Sequence, residues 1–200
     1  MKHLVIVAVV PAVFVLAACS SSHNVGDSPP GSMGSAMTSS GHDMMHNDDF
    51  DGADVMFAQM MIPHHEQAVE MSTLAETRAT DVEIVALAEL IKGEQQPEID
   101  SMTAWLQAWG SSVMDHDEAM AMGHGMQGML SDAQIAELKA ASGPQFDRLY
   151  ATYMIAHHEG AIEMAKQVVE STNADVAALA KSIIAGQTGE IEQLKAFLEQ

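Results

Sequence analysis

Two hundred residues allow one domain, or one domain with a tail. The 28 acidic against 8 basic side chains set up a field that repels phosphate, which argues against nucleic acid as a partner and attracts cations without choosing among them. Aromatic residues make up only 4%, whereas methionine, at 17 residues, lies far above ordinary usage and needs a reason.

Residues 1–18 read as an export signal. Lys2 supplies the positive end, Leu4 to Val15 an apolar run, and "LAAC" (Leu16 to Cys19) the processing site. The run is shorter than the roughly 20 apolar residues a membrane-spanning helix needs. "LAAC" resembles the bacterial lipobox, and the resemblance implies that Cys19 is lipidated, anchoring the protein to a membrane outside the cytoplasm; ordinary secretion is the alternative. With its one cysteine used in this way, the chain keeps no thiol for a disulfide, a thiolate ligand or a nucleophile. Residues 19–52 carry no apolar periodicity and cannot bury enough surface to offset their conformational entropy, so a disordered tether is expected. Its Met37, His42, Met44, Met45 and His46 make it either a polar spacer or a metal-capturing arm.

From residue 53 to 200 the pattern is helical and duplicated. Asp54, Met61, His64 and Met71 align with Asp147, Met154, His157 and Met164 at an offset of 93. Ile91, Gln95, Glu98 and Leu106 align with Ile183, Gln187, Glu190 and Leu198 at 92. The units span residues 54–109 and 147–200, joined by a Met/His-rich connection over 110–146. Each unit is two helices long, broken near "ATD" (Ala79 to Asp81) and "NAD" (Asn173 to Asp175), where aspartate can cap the next helix. The connection holds a short helix from Ser131 or Asp132, stopped by Gly143-Pro144. Strand signals are absent. Two hairpins with apolar faces bury them best against each other, which predicts an all-α four-helix bundle.

Helical phase sorts the letters of "MMIPHHEQAVEM" (Met60 to Met71). With Met60 at zero, Met71 falls at about 20°, His64 at about 40° and Met61 at about 100°. His65 follows at about 140°, on the border of the stripe, while Glu66 and Glu70 at about 240° and 280° face away. In the second unit His157 shares its face with Tyr150, Tyr153, Met154 and Met164, with His158 at the border. A methionine stripe is commonly core, and a lone inward histidine is commonly a hydrogen-bonded core residue. Two inward histidines on two helices, each with methionines one turn away, point instead to a metal. Imidazole with thioether suits copper, the thioether favouring Cu(I) and imidazole accepting Cu(I) or Cu(II). Zinc and iron would ask for cysteine or for more inward carboxylate.

The second helices share Ile-x3-Gln-x2-Glu-Ile, in "IKGEQQPEI" (Ile91 to Ile99) and "IIAGQTGEI" (Ile183 to Ile191), with Pro97 aligned to Gly189. Both weaken the helix beside a glutamine and a glutamate. A third cluster, "MDHDEAMAMGHGMQGM", brings Met114, His116, Met120, Met122, His124, Met126 and Met129 into the connection. It is either a loosely packed cap on the bundle or a set of exchangeable copper ligands.

The paired "MIPHHEQAVEM" and "MIAHHEGAIEM", the two Gln-x2-Glu-Ile segments and "GMLSDAQIAELKAASGPQFDRLY" resemble the DUF305 family over about residue 50 to the C-terminus. That resemblance implies an exported, ferritin-like helical bundle and, since some members bind copper in the periplasm, copper binding and tolerance. It carries over His64, His65, His157, His158 and the methionines around them; the tether lies outside it. The expected function is a membrane-anchored, extracytoplasmic copper-binding protein that sequesters or hands over the ion, with a delivery protein as partner. His64 and His157 with Met60, Met61, Met71, Met154 and Met164 would form the bundle site, and the connection and the tether the exchangeable outer ones. Two alternatives stand beside it. A paired-iron oxidoreductase wants Glu-x-x-His on two helices, which this chain lacks; a cell-surface interaction module would make the histidines structural. No serine, histidine and acid arrangement at helical spacing suggests a hydrolase.

Overall fold

The computed structural model describes residues 50–121 and 127–200. The expected export signal, Cys19 and residues 19–49 of the expected tether, with Met37, His42, Met44, Met45 and His46, lie outside the described residues, as do Met122, His124, Met126 and the side chain of Met120. Every regular element described is a helix: α1 (Gly52–Arg78), α2 (Val82–Ala108), α3 (His116–Ala121), α4 (Asp132–Ala140), α5 (Pro144–Ala165) and α6 (Ala174–Leu198). Helix α1 lies along α2 and α5 along α6; α1 and α5 meet in the middle, whereas α2 and α6 touch only sparingly. The fold is an all-α bundle.

Local sequence starts and stops these helices. Asp51 caps α1, accepting from the amides of Ala53 (2.7 Å) and Asp54 (3.1 Å), while the Asp54 carboxylate accepts from the Asp51 amide in return. Asp81 caps α2 through the Glu83 amide. Ser131 opens α4 in a second reciprocal box with Gln134, and Pro144 stands in the first turn of α5, where its missing N–H costs nothing. Asn173, rather than Asp175, caps α6: its side-chain oxygen accepts from the amides of Asp175 and Val176. The connection holds one helix beyond the expected α4. Asp115 and Glu118 bond each other's amides (3.1 and 2.9 Å) and so nucleate α3. Pro63 and Pro97 both sit inside continuous helices.

The apolar core divides into two halves. One gathers Met71, Ile84, Ile91, Leu138, Phe146, Tyr150 and Met154; the other gathers Phe57, Met61, Ile62, Met102, Leu106 and Ile183. Asp147 ties the bundle's end together. It is buried at the start of α5 and accepts from the amides of Thr80 and Asp81 and from the Thr80 hydroxyl, fixing the α1–α2 turn. No described helix is long and apolar enough to cross a membrane.

Candidate metal centre

His64 and His65 stand at the middle of α1, and His157 and His158 at the middle of α5; all four are fully buried. Neighbours on a helix diverge by about 100°, and the members of each pair accordingly find different partners. His64 and His157 face each other, their ring centroids 3.8 Å apart. His64 Nε2 lies 3.1 Å from the Gln127 carbonyl. A carbonyl only accepts, so this nitrogen carries the proton and Nδ1 holds a bare lone pair. That Nδ1 and both nitrogens of His157 are buried without a hydrogen bond of normal length, although the His64 backbone pulls weakly on the His157 ring. Burial, then the neighbouring His65, lowers the His64 pKa to about 3. Burial, then His64 and the other two histidines, likewise holds His157 well below the ordinary imidazole range. Both rings are therefore neutral at physiological pH, the protonation state a metal requires.

The second histidines are fully buried too, not at the stripe's edge as helical phase alone suggests. Each turns toward the second helix of its own hairpin, where a glutamate meets it. His65 Nε2 is 2.8 Å from Glu98 Oε2, and His158 Nε2 is 2.8 Å from Glu190 Oε2. These are the glutamates of the two Gln-x2-Glu-Ile segments. The inward carboxylate that the helical phase of α1 and α5 did not supply thus comes from α2 and α6. A carboxylate behind an imidazole fixes its orientation and raises its basicity. Glu66 and Glu70 are exposed.

The connection is strapped down over His64 and His157. The Gln67 side-chain amide donates to the Leu130 carbonyl (3.0 Å) and accepts from the Leu130 amide (2.7 Å), both buried. Gly128, at φ +85°, runs directly against the α5 backbone, where an added Cβ would sit 2.9 Å from His157 Cα. Gly160 faces the strap from the other side: a Cβ there would overlap the Gln127 carbonyl. Gln67 and Gly160 occupy the same place in the two units, immediately after His-His-Glu. One unit binds the strap and the other makes room for it.

Methionines divide between this site and the core. Met60, Met129 and Met164 pack around Ala119 of α3. Met56, Met60 and Met164 line a cavity of about 450 Å³ together with Gln127, the residue whose carbonyl meets His64. Met61, Met71 and Met154 are packed wholly among core side chains. His116 is partly exposed on α3, its Nδ1 3.3 Å from Asp117 Oδ1. Among the described residues no three His, Cys, Asp or Glu side chains converge to hold a metal ion. Glu98, Glu190, Gln67 and Gly160 were missed as functional residues by reading the sequence. The repeated Glu-Ile and the unequal letter after His-His-Glu were the signals available for them.

Fold and site together define an all-α bundle with a buried imidazole cluster beneath a methionine-bearing strap. The sequence pattern described as "domain of unknown function (DUF305)" matches residues 54–198, and the chain belongs to the DUF305 family. A DUF305 protein of Streptomyces coelicolor is 36% identical over 74% of this chain and 92% of its own, with a TM-score of 0.68. A DUF305 fragment from Deinococcus radiodurans is 29% identical over 74% and 97%, at 0.67. CopM in its Cu(II)-bound form is 33% identical over 73% and 95%, at 0.63; CopM structures with Cu(I), with silver and without metal also match. No curated protein matches the chain.

Proposed function

We propose that this protein binds copper in the cell envelope, held to the membrane by a lipid on Cys19, and sequesters the ion or hands it to a partner protein. One observation carries the reading: His64 and His157 stand ring to ring, fully buried, with three of their four nitrogens lacking a hydrogen bond of normal length. Burying unpaired polar atoms costs stability, so an occupant that satisfies them is the economical explanation. Neutral imidazole beside thioether is a donor set for copper, with Cu(I) preferred by the sulfur. Met60 and Met164 line a cavity together with Gln127, whose carbonyl meets His64, and His116 and the connection's further methionines and histidines serve as exchangeable outer ligands. Two further points support the reading: CopM, a similar fold, has been solved with copper and silver, and the Streptomyces relative is described as secreted. Binding, not catalysis, is the activity proposed.

Calorimetric titration of the mature protein with Cu(I) and Cu(II) tests this. Submicromolar Cu(I) affinity is expected, weakened by more than about a hundredfold in the His64→Ala/His157→Ala variant, a loss of about 2.7 kcal/mol or more. Micromolar affinity indifferent to that substitution would remove the proposal.

A further inference from the structure

We propose that the cleft between α2 and α6 is a second, separate site, which binds a divalent cation together with its water shell. This does not depend on the copper reading. The cleft has a volume of about 220 Å³ and is lined by Glu94, Gln95 and Glu98 of α2 and by Ser182, Gln187 and Glu190 of α6. It exists because these two helices barely touch. Both polar atoms of the Gln95 amide are buried and unpartnered although the residue is only 3% exposed, and so are Gln187 Oε1 and Glu190 Oε1, each on a residue 4% exposed. Elsewhere both polar atoms of the buried Gln67 amide are bonded; here the matching partners are absent among the described residues.

Charge selects the sign of the occupant. Three carboxylates line the cleft and no lysine or arginine does. Glu98 and Glu190 each turn one oxygen to an imidazole beneath, leaving Glu190 Oε1 free. Burial raises the Glu94 pKa, and the negative charges of Glu190 and Glu98 raise it further, so the field across the cleft is negative. Glu94 reaches toward α6, where a Cβ on Gly186 would stand 3.8 Å from its Oε2.

Donor chemistry and size select the class. The free acceptors are carboxylate and amide oxygens, which suit hard cations, and no thioether lines the cleft. No three acidic or imidazole side chains among the described residues converge on a bare ion, and the ion accordingly keeps its water shell and is held through it. The volume holds about seven waters at roughly 30 Å³ each, enough for an ion with a full first shell. Metal-bound waters donate hydrogen bonds, and oxygens predominate among the unpartnered atoms, with the Gln95 amide nitrogen the one donor.

Mn²⁺ is a suitable probe, because its free form is counted by electron paramagnetic resonance and its bound waters by proton relaxation. The copper-free mature chain is expected to take up one Mn²⁺ with enhanced relaxation, and Mg²⁺ or Ca²⁺ to displace it. Glu94→Gln, on an exposed residue, should weaken binding about tenfold. Gln95→Leu should weaken it as well, yet raise the thermal midpoint in chelator by removing the unpaired amide. His64→Ala/His157→Ala should leave Mn²⁺ binding intact, which separates this result from the fate of the copper site. Two outcomes overturn the proposal: Glu89→Gln or Glu192→Gln on the open surface weakening Mn²⁺ as much as Glu94→Gln does, or Gln95→Leu binding as well as the parent.

Discussion

Metal-free protein is expected to lose stability to its buried histidines as the pH falls from 6.5 toward about 3, the values that bound the His64 shift. The unfolded chain takes up a proton on each imidazole near pH 6.5, whereas the folded chain refuses it until far lower pH. Within that window the unfolded state binds more protons, so acid favours unfolding; above it both states are neutral and the contribution is flat. Each pH unit is worth about 1.4 kcal/mol, so His64 alone removes on the order of 4 kcal/mol by pH 3.5. His157, depressed for the same reason, acts in the same direction. The chain's net charge of −20 works against this, because protonating surface carboxylates relieves their mutual repulsion. Urea unfolding of the parent and of His64→Leu/His157→Leu across pH 3.5 to 8 isolates the histidine contribution. The variant should gain on the parent by several kcal/mol toward acid; parallel profiles would mean that the two imidazoles are not kept neutral by burial.

Gly160→Ala in α5 is expected to be far more damaging than the same change at Gly189 in α6. A Cβ at Gly160 overlaps the Gln127 carbonyl and comes within 2.9 Å of the Gly128 amide nitrogen, both backbone atoms with no side-chain freedom to yield. Either α5 shifts, or the strap lifts and breaks the His64–Gln127 bond. Overpacking of this kind costs about 1–3 kcal/mol, and cleavage of the connection by protease should quicken with it. Gly189, inside α6, has nothing within 4 Å of a built Cβ, so alanine there should stabilise by about 0.5–1 kcal/mol through helix propensity. Opposite signs for one substitution in two helices are the result to look for in urea midpoints. A Gly160→Ala variant as stable as Gly189→Ala would show that the strap does not press on α5.

The helices and the first histidine of each pair were legible because both follow from local rules. Caps such as Asp51 and Ser131 and the apolar period fix the helices, and phase alone turns His64 and His157 inward. The second histidines were not legible in this way. At about 140° from Met60, His65 lies where phase does not decide between core and surface, and its burial depends on Glu98, 33 residues further on. Phase also could not divide the methionines. Met60 and Met71 lie only about 20° apart around α1, but Met71 is sealed in the core whereas Met60 lines the cavity beneath the connection. Depth along the bundle separates them, and periodicity carries no information about depth. The strap shows a third kind of gap. Gln67 and Gly160 differ in size and polarity at equivalent places, and only the chain running between them explains why.

Copper anomalous diffraction tests the central claim most directly, using crystals of the mature protein grown with Cu(I) under reducing conditions. A strong peak is expected in bonding contact with a ring nitrogen of both His64 and His157, completed by methionine sulfur. Copper found only at the partly exposed His116 or at surface carboxylates, with the two buried rings unchanged, would contradict it.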